Sequence, residues 1–197
     1  MARPIAKDHA DKRAHILRVA ARVFAQGGIA RASMAQVAMA CGISKANIYH
    51  YYGSKDALVF DILDSYLSAL RDRLSGLELA GLKPEDQCLT FLVEILLAYE
   101  GMDAEHQIQT EGIAMLDLEQ QETLKHIQRD MVRQLSGILH LSAPSHLVGD
   151  KMRLHATTMS VFGMLNWFYM WNSSAGRAER KEYAKHICAL VLGNAMK

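Results

Sequence analysis

Lys45, Asn47, Tyr49 and His50 fall within six consecutive positions, separated only by Ala46 and Ile48. An ammonium, a carboxamide, a phenol and an imidazole at that spacing can hydrogen-bond base edges and phosphate oxygens. The same side chains offer no nucleophile beside a base, the arrangement covalent catalysis needs. Other chemistry is poorly supported. Among nine histidines and three cysteines there is no His-Glu-x-x-His, no Cys-x-x-Cys and no glycine-rich phosphate loop after a strand. Glu119, Glu122 and His126 share a helix face, which a solvated polar surface explains. No catalytic residue, metal ligand or cofactor is expected, and an all-α enzyme is the weakest alternative.

To point outward together, the four polar side chains need a short helix held from behind. The stretch 33–51, SMAQVAMACGISKANIYHY, reads as helix, glycine-containing turn, helix. Ser33 with Gln36 three residues on is a capping-box pattern, and Gly42 stops the first of the two helices. Ser44 caps the second, which ends at Gly53. Val37, Ala38, Cys41, Ile43 and Ile48 supply the inner face, leaving Lys45, Asn47, Tyr49 and His50 for a DNA groove.

The rest of the chain reads as helix almost throughout, without a convincing strand. A first helix is expected over about 8–26, with Ile16, Val19, Ala20, Val23 and Phe24 as its apolar stripe and Gly27-Gly28 as its stop. Ser54 opens a long fourth helix, apolar at Leu58, Ile62, Leu63, Tyr66, Leu67, Leu70 and Leu74. Further helices are expected at about 84–101, 104–118, 120–140, 147–174 and 178–195. The fold class is therefore all-α, with a helix-turn-helix module over 1–56 and a second helical domain over 57–197.

The formal net charge of +1 conceals an asymmetry. Residues 1–56 hold nine Lys/Arg against three Asp/Glu, a balance of +6, and the remainder carries −5. A basic quarter on an acidic body suits a polyanion-binding module joined to something else. Arg3 and Lys7 are placed to act as a basic arm in an adjacent minor groove, and a disordered terminus explains them equally well. Cys41, Cys88 and Cys188 are odd in number and scattered, which suits a reducing, cytoplasmic compartment. The uncharged run 154–176 contains Thr157, Thr158, Ser160, Asn166 and Asn172, so a buried helix is expected there and no membrane span.

The string GISKANIYHYYGSKDAL, residues 42–58, resembles the DNA-binding domain of the tetracycline-repressor (TetR) family, where a recognition helix, a tyrosine-rich end and an S-K-x-x-L helix start follow one another. That resemblance implies a DNA-binding transcriptional regulator, most often a repressor. Carried over by position, it places Ser33 and Gln36 on phosphate or a base edge, and Ser44, Lys45 and Asn47 in the major groove. Tyr49 and His50 would lie on the backbone with Tyr51 nearby, and Lys55 on a phosphate. Ser33 stands where many relatives have Thr, and Tyr52 where Phe is common.

The resemblance further implies that 57–197 is an effector-binding and dimerisation domain, with a homodimer built on the last two helices. Phe162, Leu165, Phe168 and Tyr169, then Ile187, Leu190, Val191 and Ala195, have helical spacing for that interface, a pattern an ordinary core helix also shows. Two recognition helices about 34–36 Å apart then read successive turns of a near-palindrome. A small-molecule effector is expected among the later helices, with Tyr99, Met102, His106, Met115, Phe162, Trp167 and Tyr169 as candidate lining; core packing explains each of them equally plainly. The segment 162–171, FGMLNWFYMW, resembles the corresponding helix of TetR-type regulators of lipid and aromatic catabolism, which points to an acyl-CoA thioester ahead of a free aromatic or lipophilic compound. A non-sensing architectural DNA binder shares the same helix-turn-helix and is the main alternative.

Overall fold

The computed structural model describes residues 3–193, with side chains from His9 onward apart from Thr110. Arg3 and Lys7, the expected arm, have side chains outside this set, and Ala195 lies outside the described residues. Ten helices follow in order: α1 (Arg3–Gly27), α2 (Met34–Ala40), α3 (Lys45–Tyr51), α4 (Lys55–Ser75), α5 (Pro84–Ala98), α6 (Asp103–Met115), α7 (Leu118–Ser142), α8 (Ser145–Val148), α9 (Lys151–Trp171) and α10 (Arg177–Leu192). No strand occurs among the described residues.

The expected helix over 147–174 is two helices. Asp150 interrupts it in an extended conformation, and its carboxylate accepts from the Arg153 N–H at 2.9 Å to start α9 afresh. Among the described residues no helix is long and apolar enough to cross a membrane.

The helices form two compact units whose division differs from the expected break at residue 56. The first takes the described residues up to Leu67 together with Ala104–Leu124; the second takes Ser68–Asp103 and Lys125 onward. Helix α4 contributes Lys55–Leu67 to the first unit, so the three-helix module does not close its core alone.

In the first unit Ile16, Ala20 and Phe24 of α1, Val37 and Ala38 of α2, Ile48 of α3 and Leu58, Ile62 and Leu63 of α4 are buried. Gly112 of α6 seats against this core. A Cβ there would lie 3.0 Å from Leu63 Cδ1 and 3.4 Å from Ile29 Cδ1 and Val59 Cγ1, so a side chain at this close approach of α6 would make these methyls give by a few tenths of an ångström. Polar contacts fasten the same helix: Gln107 Nε2 donates to the Ala25 carbonyl at 3.2 Å, and Tyr66 Oη lies 2.9 Å from His106 Nδ1.

In the second unit α5 packs along α10, and α9 packs on both. Phe91, Leu92, Ile95 and Leu96 of α5 meet a core that includes Leu165 and Phe168 of α9 and Ala184, Ile187 and Cys188 of α10. Arg180 is 2 % exposed. Its Nε donates to the Ala175 carbonyl and its Nη1 to that of Leu96, each at 3.1 Å, and the guanidinium lies 5.5 Å from the centre of the Phe168 ring. Leu96 belongs to the last turn of α5, where the helix dipole is negative, so carbonyls, dipole and ring together compensate a buried cation.

Candidate nucleic-acid interface

Helices α2 and α3 are joined by a turn that only a few residues can make. Cys41 ends α2, and Gly42 follows at φ +69°, in the left-handed region that a side chain disfavours. The Ile43 N–H then returns to the Ala38 carbonyl at 3.0 Å, closing the turn. Both helix starts are capped as the sequence suggests. The Gln36 N–H donates to Ser33 Oγ at 3.2 Å while the Ser33 N–H donates to Gln36 Oε1 at 2.8 Å, and the Asn47 N–H donates to Ser44 Oγ at 3.1 Å.

These caps change what Ser33, Gln36 and Ser44 have left to offer. The Gln36 carbonyl oxygen is used within the protein, so its NH₂ group is the part that remains to donate outward. Ser44 spends an acceptor on α3 and keeps its hydroxyl proton. All three residues are exposed at the surface.

On α3 the division into faces is complete. Ile48 is fully buried, and Lys45, Asn47, Tyr49 and His50 are all exposed, Tyr49 at 45 %. Tyr51 is half-buried: its ring stacks on His9 of α1 at 5.0 Å between centroids, with His50 edge-on at 5.9 Å. The structure therefore brings together Ser44, Lys45, Asn47, Tyr49 and His50 on one short helix, and turns Tyr51 toward α1.

Lys55 has a different occupation from the phosphate contact its position implies. Its ammonium donates to the carbonyls of Ile29, Ala30 and Ala32 at 2.8, 3.1 and 3.3 Å, closing the end of the α1–α2 connection onto the start of α4. An ammonium has three donors, and three acceptors take them.

Sequence reasoning missed the network that holds α3 from behind. Tyr52 is buried, and its hydroxyl donates to Asp61 Oδ2 at 2.6 Å; Arg13 Nε donates to the same oxygen at 2.9 Å, and Arg13 also pairs with Asp61 Oδ1. Helix α1, the end of α3 and α4 thus converge on one carboxylate. Burial, then the bond to Asp61, pushes the Tyr52 phenol well above its usual range, and the Asp61 hydrogen bond likewise raises Arg13. The legible signal was a tyrosine where Phe is common: a buried hydroxyl needs an acceptor, and Asp61 is it.

The effector candidates separate. Tyr99 is buried, with its hydroxyl donating to Asn166 Oδ1 at 2.8 Å, and burial raises its phenol above the usual range. Phe162 is buried nearby in sequence on α9, and Met102 and Tyr169 are half-buried, all in the second unit. His106 and Met115 belong to the first unit, where His106 is engaged by Tyr66 and Met115 is exposed. Trp167 is 62 % exposed, on the side of α9 away from Phe162 and Leu165. Asn166 was not anticipated. A groove of about 380 Å³ between α7 and α9 has Lys125, Arg129, Arg133 and His155 around Val132 and Met159, and none of the seven candidates lines it.

The residues expected at a dimer face also need correction. Phe162, Leu165, Phe168, Ile187 and Val191 are buried within the chain, and Tyr169 is half-buried. Of the described members only Leu190 is well exposed, at 59 %. The large apolar side chains these two helices leave exposed are instead Met152, Met159, Trp167, Met170 and Trp171 on α9 and Leu190 on α10. Helix α9 is apolar on two faces, and spacing alone does not say which one the chain itself covers.

Comparison with known proteins agrees with this architecture. The model of bacterial regulatory proteins of the tetR family matches residues 16–62, and that of a tetracyclin repressor-like C-terminal domain matches residues 81–194. The HTH-type transcriptional repressor KstR2 of Rhodococcus jostii is 31 % identical over 95 residues, which is 48 % of this chain and 45 % of that protein. The chain thus spans less than half the length of that relative. A TetR-family transcriptional regulator from Bordetella parapertussis is 26 % identical with a TM-score of 0.84, covering 93 % of this chain and 95 % of that one. The structure of AibR in complex with isovaleryl coenzyme A and operator DNA shares the fold at 21 % identity, with a TM-score of 0.75 over 92 % of this chain and 98 % of that one. The matched families are regulatory proteins, not enzymes, and with both halves of its length accounted for, the chain belongs to the TetR family.

Proposed function

We propose that this protein is a one-component transcriptional repressor that binds a near-palindromic operator as a homodimer and leaves it when a small-molecule effector binds. The observation that carries the DNA-binding half is α3: seven residues, capped by Ser44, with Ile48 buried behind and Lys45, Asn47, Tyr49 and His50 exposed in front. None of those four side chains is buried in the chain's own core. Asn47 and Lys45 have the donor and acceptor pattern for base edges, and Tyr49 and His50 suit the sugar-phosphate backbone.

One helix of this length reads only a few base pairs, so two are needed for a useful site. The face of Met152, Met159, Trp167, Met170 and Leu190 supplies the means of pairing, because a second copy presenting the same residues buries both faces at once. Trp167 sits near the middle of that stripe in sequence and is the natural anchor.

For the effector, the hydrogen-bonded pair of Tyr99, at the end of α5, and Asn166 of α9 offers polar groups of the kind that orient a small molecule. The isovaleryl-CoA complex of AibR shows that this fold accommodates a CoA thioester, which supports a thioester effector here. Release follows by a shift of population: the effector favours a conformer in which α4 swings and the two α3 helices no longer match successive grooves. Effector and operator then weaken each other equally.

The test is selection of bound sequences from a random duplex pool at about 150 mM salt, a concentration at which non-specific phosphate binding is already weakened. Enrichment of a near-palindrome supports a dimeric sequence reader. Salt-sensitive binding without enrichment overturns it in favour of an architectural binder. With an operator in hand, unchanged affinity at saturating effector overturns the release mechanism.

A further inference from the structure

The only cysteines of the chain besides Cys41 meet in the second unit. Cys88 of α5 and Cys188 of α10 are separated by 100 positions, yet their sulfurs are 3.8 Å apart and both residues are fully buried. Each lies in the apolar stripe of its helix, Cys88 with Leu92 and Ile95 and Cys188 with Ala184 and Val191. The two helices approach closely enough to bring Cα atoms within 8 Å. We propose that Cys88 and Cys188 form a closable dithiol, an oxidation site at which hydroperoxides convert the pair to a disulfide tying α5 to α10.

The geometry requires little. A disulfide forms at an S–S separation of about 2.05 Å, so the sulfurs must close by somewhat under 2 Å, within reach of side-chain rotation and a small helix shift. Cys188 donates its S–H toward Cys88 Sγ, which favours the thiolate on Cys88 and lowers that thiol from its ordinary range. Either thiol can attack first and give the same disulfide. With Cys88 as the nucleophile, its thiolate attacks a peroxide oxygen, the O–O bond breaks, and the leaving alkoxide or hydroxide takes a proton, giving Cys88 sulfenic acid. Cys188 then attacks the sulfenic sulfur, a water leaves, and the S–S bond is complete. Two thiols lose two electrons and two protons; the hydroperoxide gains them as water and an alcohol, or as two waters when it is hydrogen peroxide.

Burial sets the rate. An uncharged hydroperoxide reaches the pair through transient opening of the α5–α10 contact, so the reaction is slow beside that of an exposed thiolate. Once made, the bond joins residues far apart in sequence, where a cross-link restricts the unfolded chain most. The site is thus a reversible lock on the second unit, opened again by thiol reductants.

The experiment uses the full chain carrying Cys41→Ser, so that only the buried pair remains, treated with hydrogen peroxide and then unfolded in the presence of an alkylating agent. The expected result is loss of both alkylatable thiols, an intact mass lower by two hydrogens, and a linked pair of peptides containing Cys88 and Cys188. The melting midpoint of the oxidised chain rises, and dithiothreitol reverses both the mass and the midpoint. Adding Cys188→Ser to the same chain abolishes the linked peptides. If both thiols of the Cys41→Ser chain remain fully alkylatable, or if oxygen atoms add to either sulfur without a link between them, the proposal is wrong and the pair is ordinary core.

Discussion

Helices α3 and α9 both leave large side chains uncovered, and the two exposures have opposite chemistry. On α3 a single isoleucine anchors the helix, and what faces outward is polar, charged or aromatic with a hydroxyl. On α9 both sides are apolar: Val161, Phe162, Leu165 and Phe168 face the chain's own core, whereas Met152, Trp167 and Met170 are largely exposed and Met159 borders the groove beside α7. A polar exposed face costs nothing in water and becomes useful only against a partner with a matching hydrogen-bond pattern. A methionine and tryptophan face is unfavourable in water and is stabilised by almost any apolar surface of the right shape. Exposure alone says little; the chemistry of the exposed atoms suits α3 to the nucleic-acid partner and α9 to the protein partner proposed for them.

The widest separation between the two faces comes from breaking α9. Trp167→Glu combined with Leu190→Glu places charge on the apolar face without touching the core. Sedimentation should show a monomer, and operator affinity should fall by about 10²–10⁴-fold, the range by which linking two binding modules exceeds one. A dimer that survives both changes places the interface elsewhere.

Asn47→Ala attacks the other side of the comparison. It should leave the dimer and the melting midpoint unchanged, because Asn47 is exposed and its cap contact uses only the backbone N–H. Specific binding should weaken by about 1–3 kcal/mol, the usual cost of one base contact, and binding to random duplex should not change. Equal losses on operator and random DNA would show that α3 touches backbone only.

Lys55→Met sharpens the distinction between contact and support. With its ammonium on three part-buried or exposed carbonyls, the change should destabilise the first unit by about 1 kcal/mol, the usual net worth of a hydrogen bond, measured by urea unfolding. The slope of operator affinity against salt should stay within the error of the parent. A fall of about one unit in that slope would return Lys55 to the phosphate.

The smallest effect is on the alkaline limb. Tyr52 and Tyr99 are both raised in the folded protein, Tyr52 by burial and then by Asp61, Tyr99 by burial. Their contribution is full below the ordinary phenol value near 10 and declines as pH climbs through the unfolded value toward the folded one. Urea midpoints should therefore fall above about pH 10. Tyr52→Phe should flatten that fall in part while lowering stability at neutral pH, since Asp61 then loses its phenol donor and keeps Arg13 and Ser65.

The helix-turn-helix, its two serine caps, the glycine of its turn and the outward set on α3 were legible in the residues because each depends on neighbours within four positions. Hydrogen-bonded caps, left-handed turns and the 3.6-residue repeat are local, and local rules suffice for them. The family string added the expectation of a second domain and a dimer, again from contiguous residues.

What the sequence by itself could not determine involves partners far along the chain. Asp61 gathers Arg13 and Tyr52, Lys55 closes the connection that begins at Ile29, Gly112 admits Leu63, and Cys88 finds Cys188. Each pairing depends on where whole helices come to rest, and no periodicity encodes that. The same reason left the two apolar faces of α9 undivided: spacing marked every apolar position, and only packing of α5 and α10 against one side decided which of them the chain would keep for itself.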